Sequence, residues 1–137
     1  VRDGAGYRAG IHMKEYEGRR PLIVVGGGAQ DFLGEYMAGG VLVVLGLGER
    51  GTGWSRARFI GTGMHGGVIF LRGRVEDHQL GKEVGVGAPD DADRRTIDDA
   101  VRRYTLHFGG DAHELLSSEF IKLYPLYLRP YGRLYAY

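Results

Sequence analysis

The chain has 137 residues, 25 of them glycine, a formal net charge of +1 and no cysteine. That length allows one compact domain with its own core, and the near-neutral charge gives no electrostatic case for nucleic acid or an anionic membrane. The missing cysteine excludes disulfides, thiolate nucleophiles and cysteine-held iron–sulfur or zinc sites in this chain. The glycines follow no period of three, which excludes collagen, and 43% hydrophobic residues argue against a disordered linker. The apolar runs are too short to span a bilayer and no secretory signal pattern is present, so the expected location is cytoplasmic.

In chain order, Val1 to Gly18 mixes glycine with charge, and Ala9-Gly10-Ile11-His12-Met13 resembles a degenerate glycine corner. Pro21 opens the apolar run Leu22-Ile23-Val24-Val25, closed by Gly26-Gly27-Gly28. Then comes the stretch around which the chain is organised, Tyr36-Met37-Ala38-Gly39-Gly40-Val41-Leu42-Val43-Val44-Leu45-Gly46. It returns as Gly63-Met64-His65-Gly66-Gly67-Val68-Ile69-Phe70-Leu71-Arg72-Gly73, 27 residues on if Met37 is set against Met64. Paired glycines supply backbone angles that residues with a Cβ resist, and short Val- and Ile-rich runs between glycines favour strands. Gly34, Gly39, Gly40, Gly46, Gly63, Gly66, Gly67 and Gly73 are the candidate structural corners. Arg58-Phe59-Ile60 and Val84-Gly85-Val86 are weaker strand candidates.

Strands recurring with corners in register, and no helix between them, predict a right-handed parallel β-helix over residues 1–88. An antiparallel sandwich or barrel is the competing reading. Beyond Pro89 glycine gives way to a helical pattern, with Ile97, Ala100, Val101, Tyr104 and Phe108 on one stripe. Asp93 or Thr96 is the expected cap and Gly109-Gly110 the stop. Asp111 with Glu114 resembles a capping box for a second helix through Leu115, Leu116 and Phe120. Residues 89–124 are thus expected to form a helical cap on a single domain. Residues 125–137 form a tyrosine-rich tail. Tyr124, Tyr127, Tyr131, Tyr135 and Tyr137 are candidate interface residues, since tyrosine is favoured at protein interfaces.

Few motifs invite chemistry. Gly46-Leu47-Gly48-Glu49-Arg50-Gly51 and Gly61-Thr62-Gly63-Met64-His65-Gly66 match the dinucleotide fingerprint, but neither is followed by the helix that would hold a pyrophosphate. Nucleotide binding through either motif is therefore only an alternative. His12, His65, His78, His107 and His113 show no metal-ligand spacing, and no nucleophile elbow surrounds Ser55, Ser117 or Ser118. The arginines and tyrosines near the end could contact RNA, yet they suit a protein interface equally well.

Gly34-Glu35-Tyr36-Met37-Ala38-Gly39-Gly40-Val41-Leu42-Val43-Val44-Leu45-Gly46 and Gly63-Met64-His65-Gly66-Gly67 resemble the G-x-G-x-G domain at the C-terminal end of the glutamate synthase large subunit. Tyr104-Thr105, Gly109-Gly110 and Phe120-Ile121-Lys122-Leu123-Tyr124-Pro125 continue the similarity, so it covers residues 26–125. His65 stands where a small residue is usual, and Gly46 to Ser55 looks like an insertion. The resemblance implies a right-handed β-helix, here in a stand-alone or truncated form. It implies a structural module without catalytic, cofactor-binding or metal residues of its own. In that family a glutaminase domain with an N-terminal cysteine releases ammonia, and a barrel domain with FMN and an iron–sulfur cluster aminates 2-oxoglutarate. FMN and the cluster are thus expected only on partner domains or subunits. The resemblance further implies partners of glutamate-synthase type, and the exposed ends of a coil predict a homo-oligomer. A β-helix subunit of a formylmethanofuran-dehydrogenase-like complex is a second family alternative.

Overall fold

The structure, a computed structural model, describes residues 1–48 and 57–126. Its strands are β1 (Leu22–Val25), β2 (Ala38–Val44), β3 (Gly66–Arg72), β4 (Val84–Gly87) and β5 (Phe120–Pro125). Between β4 and β5 lie α1 (Asp91–Phe108) and α2 (Ala112–Leu116). The sheet order is β1-β2-β3-β5-β4. The first three strands are parallel, with Val41 facing Leu22 on one side and Val68 on the other. β5 runs antiparallel to both β3 and β4.

The expected right-handed parallel β-helix is therefore not what forms. The sheet is open and mixed, and its parallel repeat stops after three strands. Leu71 and Arg72 pair with Ile121 and Phe120, so a strand returning from the helices occupies the edge that a further coil would need. The Gly73 N–H donates to Glu119 O at 2.8 Å, fixing that return. A second correction follows. Phe120, expected to end the second helix, opens β5, and α2 is a single short turn stopping at Leu116. Arg58-Phe59-Ile60 is not a strand either; only Ile60 makes an isolated bridge, to Leu80.

The sheet has two buried faces. Alternation along each strand sends Val41, Val43, Leu45, Val68 and Phe70 to one face, against Ile97, Ala100, Val101 and Tyr104 of α1. Leu42, Val44, Ile69 and Leu71 go to the other, against Leu33, Met37, Ile60 and Met64. Because both faces are covered, the runs are continuously apolar instead of alternating. Each fully buried aliphatic side chain contributes about 1.5–3 kcal/mol.

α1 lies on its face because its stripe recurs at helical spacing. Its cap is Asp90: the Asp90 carboxylate accepts from the Asp93 N–H at 2.7 Å, and the Asp93 carboxylate accepts from the Asp90 N–H at 3.0 Å. Asp93, expected as the cap, is thus its reciprocal partner three residues in. Gly109 ends the helix, its N–H donating to Thr105 O at 2.8 Å. The Asp111 side chain accepts from the His113 and Glu114 N–H groups and starts α2.

Candidate functional site

The face of the sheet away from the helices is covered by stacked turns, and these hold the conspicuous side chains of the molecule. Arg8, Gly10 and His12 have left-handed φ; so do Phe32, Gly34 and Tyr36, and again Phe59, Gly61 and Gly63. The turns bond one to the next. The Arg8 N–H donates to Asp31 O at 3.0 Å and the Phe32 N–H to Arg58 O at 2.9 Å. The His12 N–H donates to Glu35 O at 3.0 Å and the Tyr36 N–H to Thr62 O at 2.8 Å. A fourth level follows, with the Ile60 N–H on Gln79 O and the Gly81 N–H on Ile60 O.

Stacking in register brings equivalent side chains into columns. Phe32 and Phe59 lie ring on ring at 5.0 Å, and the Arg8 guanidinium sits 5.2 Å from the centre of Phe32. His12 stacks on Tyr36 at 5.4 Å. Tyr36 in turn packs against Gly63, where an added Cβ would collide with its ring. Glu35 is buried beneath these columns. Its Oε2 is shielded and meets Arg8 Nε at 2.9 Å without forming a hydrogen bond among the described residues.

The predicted corners occupy four kinds of place. Gly40 and Gly67 open the matching strands with φ of 88° and 75°. A Cβ on Gly40 would lie 2.9 Å from Pro21 O and Met13 Cε, and one on Gly67 2.7 Å from Met37 Cε and 3.0 Å from Gly40 O. Gly39 and Gly66 precede them without left-handed φ; there the limit is space, since a Cβ would meet Glu15 and the Ala38 carbonyl respectively. Gly34 and Gly63 belong to the turns, whereas Gly46 and Gly73 leave the strands with φ of 65° and 113°. Tyr124 lies within β5 opposite Gly85, where its ring fills the space a Cβ would take. Tyr127, Tyr131, Tyr135 and Tyr137 lie outside the described residues.

Neither fingerprint segment forms a phosphate cradle that the structure shows. Gly61 to Gly66 runs into β3, and the space above Gly61 and Gly63 is filled by Met64, Val84 and Tyr36. Gly46 to Gly51 lies partly outside the described residues. Among the described residues no group of three His, Asp or Glu is placed to hold a metal ion. Cysteine, the usual ligand of an iron–sulfur cluster, is absent from the sequence. No helix among the described residues is long and apolar enough to cross a membrane.

The helical layer is pinned to the sheet by a half-buried ion pair, Lys122 Nζ to Asp93 at 2.8 Å. Burial pushes the Asp93 carboxyl up, but its hydrogen bonds to Lys122 and the Asp90 N–H, with the Lys122 charge, hold it below the ordinary carboxylate range. Tyr104 donates its hydroxyl proton to Arg2 O at 2.8 Å, and burial followed by the Asp3 charge raises the phenol.

The turn residues Phe32 and Phe59 escape sequence reasoning. A signal for them exists. Arg8-Ala9-Gly10-Ile11-His12-Met13, Phe32-Leu33-Gly34-Glu35-Tyr36-Met37 and Phe59-Ile60-Gly61-Thr62-Gly63-Met64 align as six-residue turns, each with glycine third and methionine last. The chain matches the GXGXG motif family over residues 1–128. It belongs to that family, the family of the C-terminal domain of the glutamate synthase large subunit. It is also 41% identical over 136 residues to the uncharacterized protein MJ1350 of Methanocaldococcus jannaschii. That alignment covers 96% of this chain and 52% of the relative, so the chain spans about half the relative's length. This GXGXG chain is thus a glutamate-synthase-related domain whose repeated glycines face its own backbone and side chains.

Proposed function

We propose that this GXGXG domain is a noncatalytic structural module of a glutamate-synthase-type assembly. The chemistry, glutamate formation from glutamine and 2-oxoglutarate, then resides on other domains or chains. Family membership supports the assembly. The observation that carries the noncatalytic part is the filling of the space at Gly61 and Gly63 by Met64, Val84 and Tyr36, which leaves no room in that loop for a phosphate. The absence of cysteine supports it further, because the family's glutaminase nucleophile and cluster ligands are cysteines. Partner subunits of glutamate-synthase type bring FMN and the cluster in this reading, and the module supplies a rigid surface.

Two titrations test the proposal. Purified chain mixed with FMN should show no change in flavin absorbance or fluorescence, and it should release no ammonia from glutamine. Stoichiometric flavin binding would overturn the noncatalytic reading. Saturable binding of NAD(P) that Gly61→Ala weakens would favour the dinucleotide reading instead.

A further inference from the structure

Antiparallel pairing of β4 with β5 sets Gly87 opposite Lys122, so the chain entering α1 and the chain entering β5 run side by side. α1 packs on the same face of the sheet through Ile97. Between α1 and these two segments lies a cleft of about 370 Å³. Small-molecule sites commonly occupy about 300–1,000 Å³. The apolar lining includes Ile97 and Phe120, both buried, and the half-buried Leu116.

Polar side chains line the same cleft, and they are not equivalent. Asp98 and Glu119 already hold Arg102 and Arg74, at 2.9 and 3.2 Å, and neither arginine lines the cleft. Ser118 Oγ accepts from Arg72 Nε at 3.1 Å, which leaves its O–H to donate. Arg94 makes no ion pair among the described residues. A guanidinium keeps its charge at any ordinary pH, so the cleft offers one unmatched positive group beside an apolar lining.

We infer that this cleft binds a small monocarboxylic acid with a compact apolar body, aliphatic or aromatic. Its carboxylate meets the Arg94 guanidinium, whose planar fork suits a carboxylate, and the Ser118 hydroxyl supplies a further donor. Its hydrocarbon lies on Ile97, Leu116 and Phe120. Asp98 and Glu119 select against a dicarboxylate, because a second negative charge would lie in the cleft beside theirs. Occupancy joins the segment before α1 to the segment before β5 and so holds the returning strand in place. The cleft is separate from the glycine loop, and the inference goes beyond the module reading without depending on it.

The test uses hydrocinnamate, with hydrocinnamyl alcohol as the neutral control and benzylsuccinate as the dicarboxylate one. Titration of the full chain is followed by amide and methyl chemical shifts. Hydrocinnamate is expected to shift Arg94, Ile97, Leu116 and Phe120 saturably and to raise the thermal midpoint as its concentration rises. It should bind about tenfold more tightly than either control. Arg94→Gln, at an exposed position, should weaken it by about tenfold and leave the alcohol unchanged. Asp98→Asn should strengthen the binding of benzylsuccinate. No saturable shift, equal binding of the alcohol, or unchanged affinity in Arg94→Gln would overturn the inference, and unchanged benzylsuccinate binding in Asp98→Asn would overturn its selectivity. Nuclear Overhauser contacts that seat another part of the same chain in the cleft before ligand is added would also overturn it. None of these outcomes concerns flavin binding or ammonia release, so this inference and the module reading fail separately.

Discussion

The two faces of the sheet bury similar rows of aliphatic side chains, but they are covered by different physics. On one face α1 supplies a stripe at helical spacing, a reciprocal cap and a glycine stop, all local features. On the other, Leu33, Met37, Ile60 and Met64 are held by turns whose bulky residues, Phe32, Tyr36 and Phe59, adopt left-handed φ. A non-glycine residue loses about 1–2 kcal/mol there, which only bonding and stacking between successive turns can offset. The helical layer is specified residue by residue. The turn layer is specified only by its own repetition.

Breaking the turn face should therefore cost more than breaking the helical face. Gly67, at the start of β3, meets the turn layer through Met37, and Gly67→Val combines a left-handed φ with contacts of 2.7 Å to Met37 and 3.0 Å to the Gly40 carbonyl. Its expected loss is about 4 kcal/mol in chemical denaturation, strain and overpacking together. Met37→Ala, at a fully buried position in the same layer, should lose about 3 kcal/mol by cavity formation. On the helical face, Asp90→Ala removes the cap of α1 and should lose about 1 kcal/mol. Asp99→Asn breaks an exposed pair with Arg103 one helical turn away and should change stability by about 0.3 kcal/mol. A reversed order, with the cap costing more than Gly67, would remove the contrast.

Asp93 sharpens the same comparison through pH. Its folded-state pKa is lowered, so its contribution is complete above the unfolded carboxyl value and is lost as pH falls through the folded one. Stability measured across the acid range should drop as the carboxyl protonates, and Asp93→Asn should make that drop smaller. An unchanged acid slope in the variant would show that the Lys122 pair does not tie α1 to the sheet.

Legibility in the sequence follows the same division. The stripe Ile97, Ala100, Val101 and Tyr104 is readable because helical burial is periodic, and Gly109 because a stop is local. The three parallel strands are readable from their glycine-bounded apolar runs. The β-helix is not a sound extrapolation from them, because nothing near Arg72 announces that Phe120 will return to close the edge. That pairing reaches across β4 and both helices. Phe32 and Phe59 are hidden for a related reason: left-handed φ at an aromatic residue has no signature in its own neighbours, only in the equivalent residue of the adjoining turn. The Gly61–Gly66 fingerprint illustrates the converse. Its glycines match a nucleotide loop in spacing, yet the space at Gly63 is taken by Tyr36, which only the stacked turns bring there.

The central functional claim is that this chain contributes structure, and no chemistry, to glutamate synthesis. Reconstitution tests it most directly. The chain would be added to purified glutaminase-type and flavin-containing synthase subunits that lack a GXGXG domain, with assembly followed by sedimentation and glutamate formation by product analysis. The account predicts a mixed assembly whose glutamine-dependent activity rises on addition of the chain, while the chain alone forms no glutamate. A chain that sediments by itself and leaves the activity unchanged, or one that forms glutamate unaided, would contradict it.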